Sequence, residues 1–152
     1  MYQVCKTFEF ESGHLLSKSR DRCRDPHGHS RRVEVVLAAE ELDPNDMVCN
    51  FRWIKLALAD ILNRLDHAIC INDSDPRLKD FKRMQVRLEV FKGQDPTSEV
   101  IARMIFDHLE DKLAKADELT SENGNTYSLS PGVRLSSVRL WETSTSWSEY
   151  SR

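Results

Sequence analysis

Two regions near the start of the chain alternate between apolar and polar positions, as strands with one buried face do. In residues 4–15, Phe8, Phe10 and His14 share one parity, and Thr7, Glu9 and Glu11 share the other. In residues 27–37, the parity that begins with His27 and His29 continues into aliphatic residues. Both patterns predict strands whose histidines lie on the core-facing side. The other members of the two faces are Ser12, Arg31, Val33, Val35 and Leu37.

Two later segments have apolar residues at intervals of three and four, the spacing of an amphipathic helix. The first follows Asn50, which is the expected N-cap, and closes near Asp66 and His67. The second follows the cap-type residues 95–99 and becomes polar over residues 110–120. The apolar members are Phe51, Ile54, Leu58, Ile61, Leu62, Leu65, Val100, Ile101, Met104, Ile105 and Leu109.

The remaining patterns complete a prediction of fold class. Residues 85–91 alternate like a short strand, and residues 133–143 predict a strand with a break at Ser136 and Ser137, whereas residues 72–82 and 121–131 are expected to be irregular. This order predicts an α+β fold in which an antiparallel four-stranded sheet carries two helices on one face. A chain of 152 residues predicts one domain, spanning residues 1–152.

Composition and charge argue against a membrane or nucleic acid as the partner of this chain. A chain with 39% hydrophobic and 31% charged residues is typical of globular proteins. No apolar stretch approaches the roughly 20 residues that cross a bilayer, and residues 1–10 lack the apolar region of a secretory signal. We therefore expect a cytoplasmic protein without a membrane partner. The net charge of -3, without a long single-sign block, argues against nucleic acid. Only Arg20, Arg22 and Arg24 form a basic cluster, which could attract a phosphate.

Cysteine usage gives no sign of a disulfide framework. The four cysteines are spread widely in a chain without a secretory signal, so free thiols are expected. Cys5, Cys49 and Cys70 stand among apolar residues and are predicted to be small core residues. Cys23 differs, because it lies in a polar segment shortly before two histidines.

Three histidines suit a metal centre. Catalytic zinc commonly has three protein ligands and one open position. Residues two apart in a strand project from the same face at roughly 6 to 7 Å, so His27 and His29 can converge on one Zn²⁺ ion, and His14 can join from a neighbouring strand. Two alternatives remain. The histidines could be solvated or structurally hydrogen-bonded, or Cys23 could be the fourth ligand of a closed structural zinc site.

Two further groups could transfer protons. If Cys23 lies near the metal without binding it, the zinc charge and the nearby arginines would favour its thiolate. In the Asp66-His67 pair, a carboxylate can orient an imidazole and stabilise its charged form. The simpler interpretation of that pair is a histidine at a helix C-terminus and an aspartate bound to Arg64. His108, alone in the second helix, is predicted to be a surface or hydrogen-bonded histidine.

Two glutamates are also open to interpretation. Glu142 lies between apolar neighbours in a predicted strand, so its carboxylate must be solvent-facing or hydrogen-bonded. A carboxylate can accept the two parallel N–H donors of a guanine-like or pterin ring. Glu99 is explained by the first turn of the second helix, where a negative charge is favourable.

Five motifs in this order resemble the 6-pyruvoyltetrahydropterin synthase and 6-carboxytetrahydropterin synthase family. They are FEFESGH at 8–14, CRDPHGH at 23–29, LDH at 65–67, PTSE at 96–99 and WET at 141–143. The resemblance implies a tunnelling fold, a homo-oligomer built as a trimer or a dimer of trimers, and active sites between subunits. It also implies site residues: His14, His27 and His29 as zinc ligands, Cys23 with Asp66 and His67 in proton transfer, Glu142 as the pterin anchor, and Thr97, Ser98 and Glu99 lining the pocket.

The three residues between Cys23 and His27 resemble the 6-carboxytetrahydropterin branch, which belongs to queuosine (7-deazaguanine) biosynthesis. That branch converts 7,8-dihydroneopterin triphosphate to 6-carboxy-5,6,7,8-tetrahydropterin, acetaldehyde and triphosphate. The alternatives are a pyruvoyl-type lyase, an enzyme acting on dephosphorylated dihydroneopterin, and a pterin- or purine-binding zinc protein without turnover. Two features depart from the family pattern: Asn50 replaces a common aspartate, and residues 73–93 form a longer segment.

Overall fold

The computed structural model describes residues 1–115 and 118–152. A short 3-10 turn (Arg22–Arg24) interrupts the connection between the first two strands. The other elements, in chain order, are β1 (Tyr2–His14), β2 (His27–Ala39), α1 (Phe51–Leu65), β3 (Ala68–Asn72), α2 (Leu78–Arg83), β4 (Leu88–Phe91), α3 (Ser98–Ala114), β5 (Leu119–Thr120), β6 (Thr126–Tyr127), β7 (Arg134–Thr143) and β8 (Ser146–Ser151). Within these described residues, no helix has the length and apolar content needed to span a membrane.

One mixed sheet organises the fold. Its six strands lie in the order β4-β3-β1-β2-β7-β8, and β5 and β6 form a separate two-stranded sheet. The pairs β1–β2, β2–β7 and β7–β8 are antiparallel. The pairs β1–β3 and β3–β4 are parallel. The α+β class is therefore confirmed, but the prediction of a four-stranded antiparallel sheet is wrong in both strand number and direction.

The missed strands have patterns that periodicity alone does not resolve. β3 is a five-residue, mostly apolar run placed directly after α1, and such a run looks the same as the end of a buried helix. β8 alternates serine with aromatic and acidic residues, a pattern that gives no apolar face. The short helix α2 lies in the stretch that was expected to be irregular, so the described residues contain three α-helices rather than two.

The two long helices begin where the capping residues predicted. The Oδ1 atom of Asn50 accepts a hydrogen bond from the N–H of Arg52 at 2.9 Å and caps α1. The Oγ1 atom of Thr97 accepts one from the N–H of Val100 at 3.3 Å and caps α3. α3 ends at Ala114. Residues 116 and 117, within the polar end predicted for this helix, lie outside the described residues.

The core lies between α1, α3 and one face of the sheet. The apolar residues predicted for β2 are fully buried there, together with residues of α1, α3 and β7. Cys49 and Cys70 are buried as predicted, whereas Cys5 is exposed, which corrects its assignment to the core. The physical reason is strand parity, because Cys5 shares the solvent-facing parity of Glu9 and Glu11 in β1.

Truncation in this core should destabilise the protein strongly. Leu58 is fully buried in α1, so Leu58→Ala is expected to lower the free energy of unfolding by about 2–5 kcal/mol. Leu56→Ala is the matched control, because it makes the same change at a half-buried position of the same helix. Urea denaturation at fixed protein concentration measures both variants, and the loss for Leu56→Ala should be less than half. Equal losses would contradict the assigned burial.

Candidate active site

The register of β1 and β2 gathers the three histidines at one end of the sheet. His14 lies directly opposite His27, and Ser12 lies opposite His29. The ring centroids are 4.4 Å apart for His14 and His27, 5.1 Å for His14 and His29, and 5.0 Å for His27 and His29. One ring nitrogen from each histidine lies within 4.8 Å of the others. The structure therefore brings together the three residues that strand parity singled out.

Backbone carbonyls fix the tautomers of two of these rings. Nδ1 of His14 lies 2.8 Å from the carbonyl oxygen of Pro96, and Nδ1 of His27 lies 2.7 Å from that of Asp25. A carbonyl only accepts, so both Nδ1 atoms carry a hydrogen and both Nε2 atoms keep a lone pair. Nε2 of His29 lies 3.2 Å from Nε2 of His14. Three imidazoles with this outer support fit a metal ion that keeps a fourth position open.

Burial favours the neutral form of His14 and His29. It lowers the pKa of His14 to about 4, and the nearby positive charge of Arg31 acts in the same direction. Burial also lowers the pKa of His29. A neutral imidazole is the form that binds a metal ion, so the chain itself holds His14 ready to bind at neutral pH.

A β-bulge brings Glu142 to the same point. The pairing of β7 with β8 shifts register between Trp141 and Thr143, so Glu142 is an extra residue in β7. Bulges redirect a side chain locally. The Oε1 atom of Glu142 lies 3.4 Å from Nε2 of His14 and 3.4 Å from Nε2 of His29. The Glu142 side chain is 31% exposed, so its carboxylate contacts the cluster while part of it stays open to a ligand.

Arg31 is a site residue that the sequence analysis did not single out. It is 1% exposed. Its Nε donates to Oγ of Ser12 at 3.0 Å and its Nη1 to Oγ of Ser98 at 3.1 Å. Its Nη2 lies 3.7 Å from Oε1 of Glu142 and 3.2 Å from Nδ1 of His14, which is itself a donor. A buried cation needs a partner of opposite charge, and the Glu142 carboxylate supplies it. The sequence pattern indicated this burial, because Arg31 has the same parity as the apolar residues of β2 and therefore faces the core.

Cys23 lies in the exposed turn between β1 and β2. Its N–H donates to Oδ1 of Asp21 at 2.9 Å, and its carbonyl accepts from the N–H of Leu16 at 2.9 Å, two residues beyond His14. A hydrogen bond with Asp21 raises the pKa of the Cys23 thiol. The neighbouring arginines therefore do not produce a thiolate by themselves, and within the chain alone this thiol is a proton donor.

The structure does not support the alternative of a closed structural zinc site. Among the residues that the structure describes, the group whose potential ligand atoms all lie within 4.8 Å of one another consists of His14, His27 and His29. Cys23 does not belong to it. The geometry is that of an open three-ligand site with a free thiol in the adjoining loop.

Asp66 and His67 interact with each other and do not belong to the histidine cluster. Oδ1 of Asp66 accepts the N–H of Glu11 at 3.0 Å, which lowers the pKa of Asp66, and it lies 3.0 Å from Nδ1 of His67. The His67 side chain is 73% exposed. It lines a shallow depression with Glu11, Gly13 and Gly28, which have the opposite parity to the three histidines, and with His29. Within one chain, the imidazole of His67 therefore lies outside the group of ring nitrogens that are within 4.8 Å of one another.

The alternative partner for Asp66 is not used. Arg64 forms its ion pair with Glu89 of β4 instead.

The residues of the PTSE motif have different environments. Ser98 is buried against Arg31, whereas Glu99 is exposed in the first turn of α3 and Thr97 caps that helix. Only Ser98 of these three contacts the buried polar network within one chain.

Comparison with known proteins agrees with this arrangement. The sequence profile of the 6-pyruvoyl tetrahydropterin synthase family matches residues 3–152. The chain belongs to that family. It is therefore an enzyme of the 6-pyruvoyl tetrahydropterin synthase family, and the expected tunnelling fold is consistent with its solved relatives.

Several relatives in the 6-pyruvoyl tetrahydropterin synthase family bear the name 6-carboxy-5,6,7,8-tetrahydropterin synthase. The Aquifex aeolicus protein is 30% identical over 98% of this chain and 97% of its own length. The Haemophilus influenzae protein is 30% identical over 99% of both chains. The Synechocystis protein is 35% identical over 73% of this chain and 77% of its own length.

Two solved structures share the fold. An uncharacterised protein of Wolinella succinogenes superposes with a TM-score of 0.72 at 25% identity, and the match covers 99% of this chain and 97% of that one. Caenorhabditis elegans 6-pyruvoyl tetrahydropterin synthase superposes with a TM-score of 0.65 at 20% identity, and the match covers 99% and 95%. The latter likeness concerns the fold alone.

Removing one histidine of the cluster should weaken metal binding. We expect His29→Ala to lower the affinity for Zn²⁺ by more than about 100-fold, because even partners of metal ligands contribute 10- to 100-fold. Competition with a chromophoric chelator measures the affinity. His108→Ala is the control, since Nε2 of His108 lies 2.9 Å from the carbonyl oxygen of Ala57, away from the cluster. Equal zinc affinity in the two variants would contradict the assigned site.

Proposed function

We propose that this protein is a zinc-dependent 6-carboxy-5,6,7,8-tetrahydropterin synthase. It converts 7,8-dihydroneopterin triphosphate and water to 6-carboxy-5,6,7,8-tetrahydropterin, acetaldehyde and triphosphate in queuosine (7-deazaguanine) biosynthesis, as one domain over residues 1–152. One observation carries the proposal: three histidine nitrogens and the Glu142 carboxylate meet beside the loop that holds Cys23. Full-length similarity to two proteins named for this reaction supports the choice of product.

The histidine cluster is the metal-binding part of the proposed site. His14, His27 and His29 would hold Zn²⁺ through Nε2 of His14 and His27 and a ring nitrogen of His29. A bound zinc ion supplies positive charge that polarises oxygen atoms of the substrate side chain. The carbonyls of Pro96 and Asp25 keep two of the rings oriented.

Glu142 orients the pterin in this proposal. Its carboxylate accepts two parallel N–H donors of the ring, which a carboxylate does well in a partly buried position. Arg31 and Ser98 hold the surrounding polar network in place. Thr97 and Glu99, at the start of α3, complete the pocket wall on the solvent side. The exposed arginines Arg20, Arg22 and Arg24 supply charge of the sign that a triphosphate needs.

Cys23 is the acid-base group on the side of the histidine cluster. A hydrogen bond with Asp21 raises the pKa of this thiol in the chain alone, and the charge of a bound zinc ion would act in the opposite direction, so Cys23 can exchange a proton with the substrate. Asp66 and His67 form the other proton-transfer pair, with the carboxylate orienting the imidazole. Because this pair lies outside the histidine group within one chain, we propose that it serves the Cys23 side of a neighbouring subunit in a trimer or a dimer of trimers.

Product analysis tests the proposed reaction. The zinc-loaded protein is given 7,8-dihydroneopterin triphosphate, and acetaldehyde and a 6-carboxy pterin are expected in equal amounts. Cys23→Ala is the control variant, which should keep its zinc and lose about 10²- to 10⁴-fold in rate. A 6-pyruvoyl product would overturn the assigned branch, and absence of turnover would favour a binding protein. Loss of zinc in Cys23→Ala would refute the catalytic role of the thiol.

Mixed oligomers test the division of the site between subunits. The inactive variants Cys23→Ala and His67→Ala are co-expressed with different tags, and the mixed oligomer is purified through both tags. If each site takes Cys23 from one chain and His67 from another, about a quarter of the sites in a random mixture are intact, and that fraction of the wild-type rate returns. Oligomers of either variant alone are the controls. A mixture that stays inactive would assign both residues to the same chain.

A further inference from the structure

The turn that carries Cys23 is held by hydrogen bonds rather than by packing. The 3-10 turn Arg22–Arg24 contains no buried residue. Its internal bonds are local to the turn: the N–H of Cys23 donates to Oδ1 of Asp21, and the N–H of Asp25 donates to the carbonyl oxygen of Arg22. An exposed turn without apolar anchors opens easily unless distant parts of the chain restrain it. The restraints are therefore found among its long-range hydrogen bonds.

One such restraint comes from Arg77, in the segment of residues 73–93 that the sequence analysis left without a role. Its Nη1 donates to the carbonyl oxygen of Arg24 at 2.7 Å. This carbonyl belongs to the residue directly after Cys23. The contact joins positions 53 residues apart in the chain, so it fixes the turn relative to the rest of the fold rather than relative to itself.

Arg77 is itself held rigidly. Its Nε and Nη2 donate to the two carboxylate oxygens of Asp75 at 3.0 Å and 2.8 Å, and its backbone N–H donates to Oδ1 of the same residue at 2.9 Å. The Asp75 side chain is fully buried. A paired, planar guanidinium loses little further freedom when its remaining N–H groups bind a carbonyl. Asp75 therefore orients Arg77 toward the Cys23 turn.

Asp95, just before α3, holds the start of the connection between β1 and β2. Its carboxylate accepts from Oγ of Ser17 at 2.6 Å, from the N–H of Lys18 at 2.8 Å and from Nδ2 of Asn72 at 2.9 Å. The connection between β1 and β2 is thus anchored at its start by Asp95 and after Cys23 by Arg77. Apart from Arg77, the hydrogen bonds of residues 19–26 with the described part of the chain are local ones and the bond from the N–H of Leu16 to the carbonyl oxygen of Cys23.

We propose that Arg77 is a positioning residue for Cys23. By holding the Arg24 carbonyl, it keeps the thiol at a fixed place beside the histidine cluster, and the segment of residues 73–93 acts as a clamp on the catalytic turn. The inference rests on the proposed function, because it assumes proton transfer by Cys23. Misplacing such a group by about 1 Å is enough to lower a rate about 100-fold.

Amide hydrogen exchange tests the clamp without reference to activity. Arg77→Ala should accelerate exchange about tenfold in a peptide of residues 16–26, because a hydrogen bond from a charged donor is lost. Arg83→Ala is the matched control, because Arg83 lies in the same segment and its side chain is 78% exposed. Exchange should also rise near Asp75, which loses its ion-pair partner, whereas exchange in the rest of the chain should match the wild type. This pattern separates local opening from unfolding. Unchanged exchange in residues 16–26 would overturn the proposal.

Steady-state kinetics test the consequence for catalysis. In Arg77→Ala, kcat should fall about 100-fold with little change in KM, because the substrate contacts remain while the acid-base group is misplaced. Arg77→Lys should give an intermediate kcat, since a single ammonium group cannot serve Asp75 and the Arg24 carbonyl together. A fall in Arg77→Ala no larger than in Arg83→Ala would overturn the positioning role.

The two experiments separate the possible failures. If the wild-type protein does not turn over the pterin substrate, the proposed function fails, and hydrogen exchange still decides whether Arg77 clamps the turn. If the wild-type protein is active but Arg77→Ala matches it in both measurements, only the positioning role fails.

Discussion

The structure depends above all on the antiparallel register of β1 and β2. This pairing runs without interruption from Tyr2 opposite Ala39 to His14 opposite His27. A shift of one residue would turn every side chain to the other face, exposing the aliphatic residues of β2 and separating the histidines. The same register therefore builds the core and the cluster. The aliphatic half of the hairpin, buried under α1 and α3, fixes the geometry of the polar half.

That polar half is stabilised by the hydrogen bonds and the ion pair of the buried Arg31. Arg31 would be costly as an isolated buried cation, and the hydroxyls of Ser12 and Ser98 together with the Glu142 carboxylate supply its partners. The bulge in β7 brings Glu142 to this point. Because β1, β2, β7 and the start of α3 all contribute, the site forms only when the sheet and the helix are both in place.

The chemistry we propose is divided between two groups of residues. The histidine cluster and Glu142 meet at one end of β1 and β2, whereas Asp66 and His67 form a separate pair beside Glu11. In the proposed enzyme, each site takes the second group from another copy of the chain. The Cys23 turn contains no buried residue, and the connection that carries it is held by Arg77 and Asp95.

The sequence by itself determined what depends on local periodicity: the two long strands, α1 and α3 with their caps, and the common face of His14, His27 and His29. Each follows from the 2.0 or 3.6 residue repeat of the backbone. Tertiary structure decided the rest. The pairing partners of β3 and β8, the partners of Arg31, the position of Glu142 on a bulge and the contact of Arg77 with the Cys23 turn arise from distant segments, and such contacts leave no periodic trace in the sequence.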